Sequence, residues 1–514
     1  MEKYIVGIDV GTTGTKTVVF DTKGNEISKA YIEYGSVYPK PGWVEQDAAL
    51  ILDATLDACR QAVGKLQAAE ELVCVSVSTQ RACAIFLDAD EKPMKMFSWQ
   101  DARPEKEAEF IRSKISEQEF YQITGVPNNP AWILPKVMWI QKHEPEVWER
   151  THKVVQLEDY ILRALGADDY YVSETNAGFY CVWDADNHKW SQKMVDLFHV
   201  DTSMFSRPME SGKTIGEVSR AAGERTGLPA GLPVIMGAGD QTCACIGAGV
   251  VRPGALSVSM GTGGMCLAFL DRPYRDPKGS FMVVNHAVPG AFELEGWQKG
   301  SAGIFRWFRD EIATQEHEIA RREGKDVYVL LNELIAQSPA GAKGLIMLPY
   351  FATAGTPRWN DNARGTFFGL TYAHDRSCMA RAVIEGITME HKDMMQSLKK
   401  SGVPIERVCI IGGPTKSDLW NQVQADMYGV PVEKPVVEDA SIIGCAIIGA
   451  VGAGLYGNIP EATQQFVRID RRYEPDNKNM QRYEELYGIY DMLYRGIEAS
   501  GAFDAIAEYQ NRQL

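Results

Sequence analysis

"GIDVGTTGTKTVVFD", Gly7 to Asp21, sits close to the start of the chain and decides how the rest is read. It contains glycines, hydroxyls and a Lys-Thr pair, the residue types of a phosphate-binding loop. A P-loop needs Gly-x-x-x-x-Gly-Lys-Ser/Thr between a strand and a helix. Here Lys16 follows Thr15 rather than a glycine, and Gly11 and Gly14 stand too close together. The flanks disagree as well. "YIVGIDV" is strand-like, and "TKTVVFD" is β-branched with no helix cap. "TKGNE" then turns the chain into a third strand-like run, "EISKAYIEY". The pattern predicts a β-meander. Its first turn can still hold an anion, because the backbone N–H groups of Gly11, Thr12, Thr13 and Gly14 can converge on one concavity. Glycine lets a ligand approach the backbone closely. Asp9 fits beside an anion if a divalent cation stands between them, and Mg²⁺ binds phosphates with few carboxylates and several waters. An ordinary threonine-rich hairpin is the competing reading.

A second copy lies downstream in "ALSVSMGTGGMCLAFLD", Ala255 to Asp271. Set over Ile8–Gly14, its Val258–Gly264 places Gly261, Thr262 and Gly264 on Gly11, Thr12 and Gly14. Asp9 falls on Ser259. Both turns have strand-like flanks, so the chain reads as a duplicated lobe in which one copy carries the carboxylate. Two such hairpins facing each other across a cleft would clamp a polyphosphate.

Bulk properties allow two large lobes or three smaller domains. The chain has 514 residues, 45% hydrophobic and 24% charged, well above the roughly 150 residues of a single domain. Its 53 basic and 68 acidic residues leave a net charge of -15, which argues against nucleic-acid or anionic-membrane partners. "MEKYIVGID" lacks a secretory pattern. The small-apolar run "IIGCAIIGAVGAGLY", Ile442 to Tyr456, is shorter than the ~20 residues of a spanning helix and reads as a buried helix. The ten cysteines form no C-x-x-C pair and the eight histidines no ligand pattern. Reduced thiols, a cytoplasmic location and no structural metal are expected.

With the paired hairpins the chain resembles the actin, hexokinase and heat-shock chaperone superfamily. Further segments resemble its FGGY carbohydrate kinase branch, and xylulokinase-like ketose kinases in particular. These are "GWVEQD" (Gly42–Asp47), "STQRACAIFLD" (Ser78–Asp88), "WQDAR" (Trp99–Arg103), "PKVMWIQKHEPEVWER" (Pro135–Arg150), "GAGDQTCACIGAGVVRPG" (Gly237–Gly254), "RGTFFGLTYAHDRSCMARAVIEG" (Arg364–Gly386) and "IIGGPTKSDLWNQVQADMYGVPV" (Ile410–Val432). They run in family order across most of the chain.

The resemblance implies an α/β fold of two ribonuclease-H-like lobes, residues 1–250 and 251–514, with mixed sheets flanked by helices and the active site in the cleft between them. It implies ATP and Mg²⁺ as cofactors and a small sugar as substrate, most simply a ketopentose such as xylulose. A homodimer follows by analogy only. Asp240, in "PVIMGAGDQT", becomes the general base. A sugar kinase needs one, because a positioned carboxylate that accepts the hydroxyl proton contributes ~10²–10⁴-fold. Without the resemblance, the residues alone favour reading Asp240 as a cap on the following helix. Asp9 is assigned to the Mg²⁺ shell. Gly11, Thr12, Thr13 and Gly14 are assigned to phosphate on one side, and Gly261, Thr262 and Gly263 on the other. Lys16 either adds positive charge or is a solvated strand lysine. Gly412, Gly413 and Ser417 are assigned to the adenosine end, where Ser417 or Asp418 starts a helix near Leu419. Pro414 stands there in place of a glycine common in relatives and has no N–H to offer. Gln80, Arg81, Trp99, Gln100, Asp101 and Gln241 are assigned to the sugar. Trp99 as core and Arg81 as an ion-pair partner are the structural alternatives.

The sugar segment departs from named specificities. Xylulokinases typically carry Gln-Met-His where this chain has Gln80, Arg81 and Ala82, and glycerol kinases carry Gln-Arg-Glu. Glycerol, a tetritol, ribulose and an autoinducer-2-like linear sugar therefore stand as alternative acceptors. Cys378, where the family signature usually has a polar amide or acid, is expected to act structurally. A chaperone-like ATPase and a non-catalytic sugar sensor are the readings from other classes. The polar-aromatic "QR" and "WQDAR" segments argue against the first, and Asp9 with Asp240 against the second.

Overall fold

The computed structural model describes residues 3–437 and 439–513. The chain divides into two compact units. The first comprises Met1–Arg252, Phe269–Leu294 and Asp439–Arg468, and the second Pro253–Ala268, Glu295–Glu438 and Ile469–Leu514.

The first unit is built on a six-stranded mixed sheet. Its strands are β1 (Tyr4–Val10), β2 (Gly14–Asp21), β3 (Glu26–Glu33), β4 (Leu72–Thr79), β5 (Thr214–Glu217) and β6 (Pro233–Gly239), in the order β5-β6-β4-β1-β2-β3. The meander read from the first 33 residues is β1 to β3, antiparallel throughout. β1 then pairs in parallel with β4, and β4 with β6. Ile5, Val6, Ile8 and Val10 are all fully buried, as a central strand covered on both faces requires.

The second unit repeats this plan. Its strands are β7 (Gly254–Met260), β8 (Gly264–Leu270), β9 (Phe292–Gln298), β10 (Ile405–Ile411), β11 (Val432–Pro435) and β12 (Ile469–Tyr473), in the order β9-β8-β7-β10-β11-β12. β7 pairs antiparallel with β8 and parallel with β10, β10 with β11 is parallel, and β11 with β12 antiparallel. A seventh strand, Met282–Asn285, extends this sheet beyond β9. Apart from it the strand order matches that of the first sheet, so the duplication inferred from two short turns extends to the topology.

The small-apolar run forms the buried helix Ala440–Gly452 of the first unit. It lies so close to the helix Asp240–Gly247 that a Cβ on Gly247 would stand 1.9 Å from the Ala440 carbonyl oxygen. A Cβ on Gly444 would stand 1.9 Å from that of Cys243. Only glycine permits such backbone contact, and it packs the helix led by Asp240 tightly against the helix led by Asp439. In the second unit the C-terminal helix Asn477–Ala499 buries Tyr483, Tyr490 and Tyr494, as its helical pattern predicts. Among the described residues no helix is long and apolar enough to cross a membrane.

Candidate active site

The turns between β1 and β2 and between β7 and β8 close alike. Gly11 N–H donates to the Gly14 carbonyl at 3.0 Å, and Gly261 N–H to the Gly263 carbonyl at 2.8 Å. The registers differ by one residue, with Val10 opposite Thr15 but Met260 opposite Gly264. Both carry glycine at the second-strand start, where there is little room for a side chain. A Cβ on Gly14 would meet the Tyr31 hydroxyl at 2.4 Å, and one on Gly264 would meet Gln298 Oε1 at 2.8 Å. In the first turn the carbonyls are already taken. Tyr34 Oη donates to Gly11 O at 2.5 Å, Gln46 Nε2 to Thr12 O at 2.9 Å and Tyr34 N to Thr13 O at 3.0 Å. Trp99 Nε1 donates to Thr12 Oγ1 at 3.0 Å. With its carbonyls tied down, the turn offers an incoming ligand mainly N–H groups, which suits an anion.

Three carboxylates gather beside this turn. Asp9 Oδ1 accepts from Ser78 Oγ at 2.6 Å. Burial, and after it the charge of Asp439, push Asp9 up to about 7; the charge of Asp240 adds to this, while the Ser78 bond and Lys16 oppose it. Lys16 pairs with Asp439. Burial works against the Lys16 charge, but the hydrogen bond and charge of Asp439 outweigh it and raise the amine above its ordinary value. Lys16 and the Arg81 guanidinium beside Asp240 stand against three acids, which leaves Asp9 without a cation of its own, and a divalent cation fits that deficit.

Asp240 is the first residue of its helix, and Gly239 occupies the cap position without a side-chain bond. Asp240 Oδ1 accepts from Gln241 N at 2.8 Å and lies 3.4 Å from Arg81 Nε. Arg81 is largely buried, and its guanidinium lies over the Phe179 ring at 4.9 Å. Arg81 and Asp240 are thus brought together, and the ion-pair reading of Arg81 holds in that its partner is the carboxylate at issue. Gln80 Nε2 donates to Gln46 Oε1 at 3.0 Å, which links it through Gln46 to Thr12. Gln241 is half-buried and Gln100 exposed. Asp101 differs. It is wholly buried, and its carboxylate is taken by Val44 N at 2.7 Å and by the Arg103 guanidinium at 2.7 and 3.0 Å.

In the second unit a cavity of about 480 Å³ opens between the β7–β8 turn and the segment after β10, a size suited to a nucleoside. Gly261, Gly413, Pro414 and Ser417 line it, and so do Phe305, Tyr328 and Asn332. Gly412 has φ +100°, and a Cβ there would stand 2.4 Å from the Met260 carbonyl. Pro414 lies in the first turn of the short helix Gly413–Lys416, where its missing N–H costs nothing, and its carbonyl accepts from Ser417 N at 2.9 Å. Ser417 caps the helix Asp418–Tyr428 by accepting from Trp420 N at 3.2 Å, and donates to Asn332 Oδ1 at 2.6 Å. The helix therefore starts one residue before the expected Leu419. Cys378 is fully buried in the first turn of helix Arg376–Lys400.

Sequence reasoning did not single out Tyr34, Gln46, Asp439, Phe305, Tyr328 or Asn332. Gln46 stands within the quoted "GWVEQD", but the segment carries no sign of which residue points to the turn. The others have no local motif, and only folding brings them to these places.

Comparison with known proteins converges on one group. The N-terminal domain of the FGGY family of carbohydrate kinases matches residues 4–247, and its C-terminal domain matches residues 256–453. A xylulose kinase of Staphylococcus epidermidis is 28% identical over 497 residues, covering 96% of this chain and 97% of its own. An autoinducer-2 kinase of Yersinia enterocolitica is 29% identical over 501 residues, covering 96% and 94%. The crystal structure of a ligand-bound xylulose kinase from Lactobacillus acidophilus superposes with a TM-score of 0.89 at 25% identity, covering 97% of this chain and 99% of that one. The two mixed sheets are those of the actin-like kinase fold. With family models matched over both halves and the strand order duplicated between the units, this chain belongs to the FGGY family of carbohydrate kinases.

Proposed function

We propose that this chain transfers the γ-phosphoryl group of ATP to a hydroxyl of a small sugar, with Asp240 as the general base. The observation that carries the assignment is Asp240 itself: a carboxylate at a helix start with a guanidinium at 3.4 Å, while Gly239 holds the cap position. The sugar lies against Arg81, Gln80, Gln241 and Trp99. Arg81 orients a hydroxyl toward Asp240, which takes up its proton as the hydroxyl attacks. Asp101, wholly buried against Arg103, holds the shape of its loop rather than touching the sugar. The adenosine occupies the cavity lined by Tyr328, Asn332, Gly413 and Ser417. Within its own unit, each glycine turn offers its N–H groups to phosphate oxygens. Mg²⁺, held through water by Asp9, would neutralise charge on the transferring phosphoryl oxygens. Lys16, committed to Asp439, holds the β1–β2 turn against the helix that Asp439 leads.

A ketopentose such as xylulose is the acceptor we favour, on the names of the relatives. An autoinducer-2-like linear sugar is the second reading, supported by an autoinducer-2 kinase at similar identity and by Ala82 in place of the histidine or glutamate of other branches. A panel of D-xylulose, D-ribulose, L-ribulose, glycerol, erythritol and autoinducer-2, with coupled ADP detection on wild type and Asp240→Asn, tests both. If no acceptor raises ADP release above background, the kinase reading fails. Full activity in Asp240→Asn would remove Asp240 from the role.

A further inference from the structure

The segment "PKVMWIQKH" enters the helix Ile133–His143 and buries a lysine completely: Lys136 has no exposed surface. An ammonium group in a protein interior is costly unless its donors are satisfied. Here Lys136 Nζ donates to the Ala82 carbonyl at 2.9 Å and to the Ser98 carbonyl at 2.8 Å. These carbonyls belong to two different loops. One follows β4 and carries Gln80 and Arg81; the other carries Trp99, Gln100 and Asp101. They lie 16 positions apart in the chain, and the one buried ammonium joins them.

The first of these loops needs holding. Ala82 has φ +58°, a left-handed conformation that costs a non-glycine residue about 1 kcal/mol or more. Its peptide groups are gripped on both sides. Ala82 N–H donates to Gln156 Oε1 at 3.0 Å, its carbonyl accepts from Lys136, and Gln156 Nε2 donates to the Asn176 carbonyl at 2.9 Å. Arg81, immediately before this turn, is the residue that faces Asp240. An apolar residue at 136 would leave two carbonyls without their donor. Burial also lowers the Lys136 amine to about 8, partly offset by Cys83 and Asp101.

We infer that Lys136 is a positioning residue for the acceptor site: it clamps the Arg81 and Trp99 loops together and, with Gln156, holds the Ala82 turn that aims Arg81. The inference rests on the sugar reading above, but its first readout does not. In Lys136→Met, amide hydrogen exchange should rise about tenfold or more in peptides covering 80–84 and 98–101 while those covering β1 stay unchanged. The acceptor KM, measured with the fastest sugar of the panel, should rise about tenfold with the ATP KM within about twofold. Lys136→Arg, which keeps the charge and the donors, should recover most of both.

Unchanged exchange in the two loops overturns the clamp, whatever the enzyme's substrate. Faster exchange with acceptor and ATP KM moving together overturns the positioning role and leaves a general structural one. If wild type phosphorylates no sugar, the functional reading fails and the exchange result still decides the clamp. Should Lys136→Met not fold, the same measurements on Lys136→Gln, whose amide can still donate to one carbonyl, apply with intermediate effects expected.

Discussion

Arg81 Nε lies 3.4 Å from Asp240 Oδ1, and the two side chains come from the ends of neighbouring parallel strands, β4 and β6. The pair is charge-matched but longer than a tight ion pair. A hydroxyl seated beside the pair could accept from Arg81 and donate to Asp240. Asp240→Asn should keep the fold and lower kcat by about 10²–10⁴. Arg81→Met should lower kcat/KM by about 10² while leaving the ATP KM unchanged. Steady-state kinetics with separate variation of sugar and ATP check both.

Tyr328 forms one wall of the cavity in the second unit and is only partly covered. If the cavity holds the adenine, Tyr328→Ala should raise the ATP KM about tenfold, the scale of one lost aromatic contact of about 1.4 kcal/mol. The acceptor KM should not move. Titration with a fluorescent ADP analogue gives the same answer without turnover.

Gly412 combines φ +100° with a backbone contact of 2.4 Å to any Cβ. Gly412→Ala should therefore cost about 2–4 kcal/mol of unfolding free energy in urea. It should also weaken nucleotide binding, since the strain falls where β10 leads into the cavity. Gly413→Ala, where a Cβ meets nothing within 4 Å, is the matched control and should be close to neutral in stability.

Glu158 is fully buried, and its Oε2 accepts from Ser173 N, Ser173 Oγ and Asn176 Nδ2. Burial outweighs these bonds and pushes its carboxyl up to about 7 from 4.5. The folded chain therefore holds a proton that the unfolded chain has lost between these values. Stability from this group is full below pH 4.5, declines as pH rises toward 7, and levels off above. The span amounts to about 3 kcal/mol at ~1.4 kcal/mol per unit. Glu158→Gln should flatten the unfolding free energy over that window relative to wild type, as urea titrations at a series of pH values would show.

All ten cysteines are free and buried, and burial raises the thiols of Cys59, Cys74, Cys83, Cys181, Cys243, Cys266, Cys409 and Cys445. Native protein should release about none of its thiols to Ellman's reagent within minutes, and all ten in guanidinium. Rapid native reaction of any thiol would contradict the packing.

The first 33 residues made their meander legible because each strand and turn is a local pattern: β-branched runs, then Gly-Thr or Lys-Gly-Asn turns. The second copy was legible for the same reason, and its glycines at equivalent offsets pointed to duplication before any sheet was seen. Asp240 could be placed at a strand-to-helix junction from "IMGAGDQT", though a cap and a base looked alike there. Lys16 was undecidable, because its partner Asp439 lies 423 residues away and no local pattern links them. Asp101 looked like a ligand for sugar hydroxyls, and only burial shows that Arg103 and Val44 have taken its oxygens.

By itself, then, the sequence determined the elements, their duplication and the family, since hydrophobic period and turn chemistry act over a few residues. Tertiary structure decided which charges meet. It sets Lys16 on Asp439, Arg81 beside Asp240, Lys136 between two loops, and Phe305 and Tyr328 around one cavity. Those pairings depend on sheet order and on glycine-permitted helix contact, which act between residues far apart in the chain.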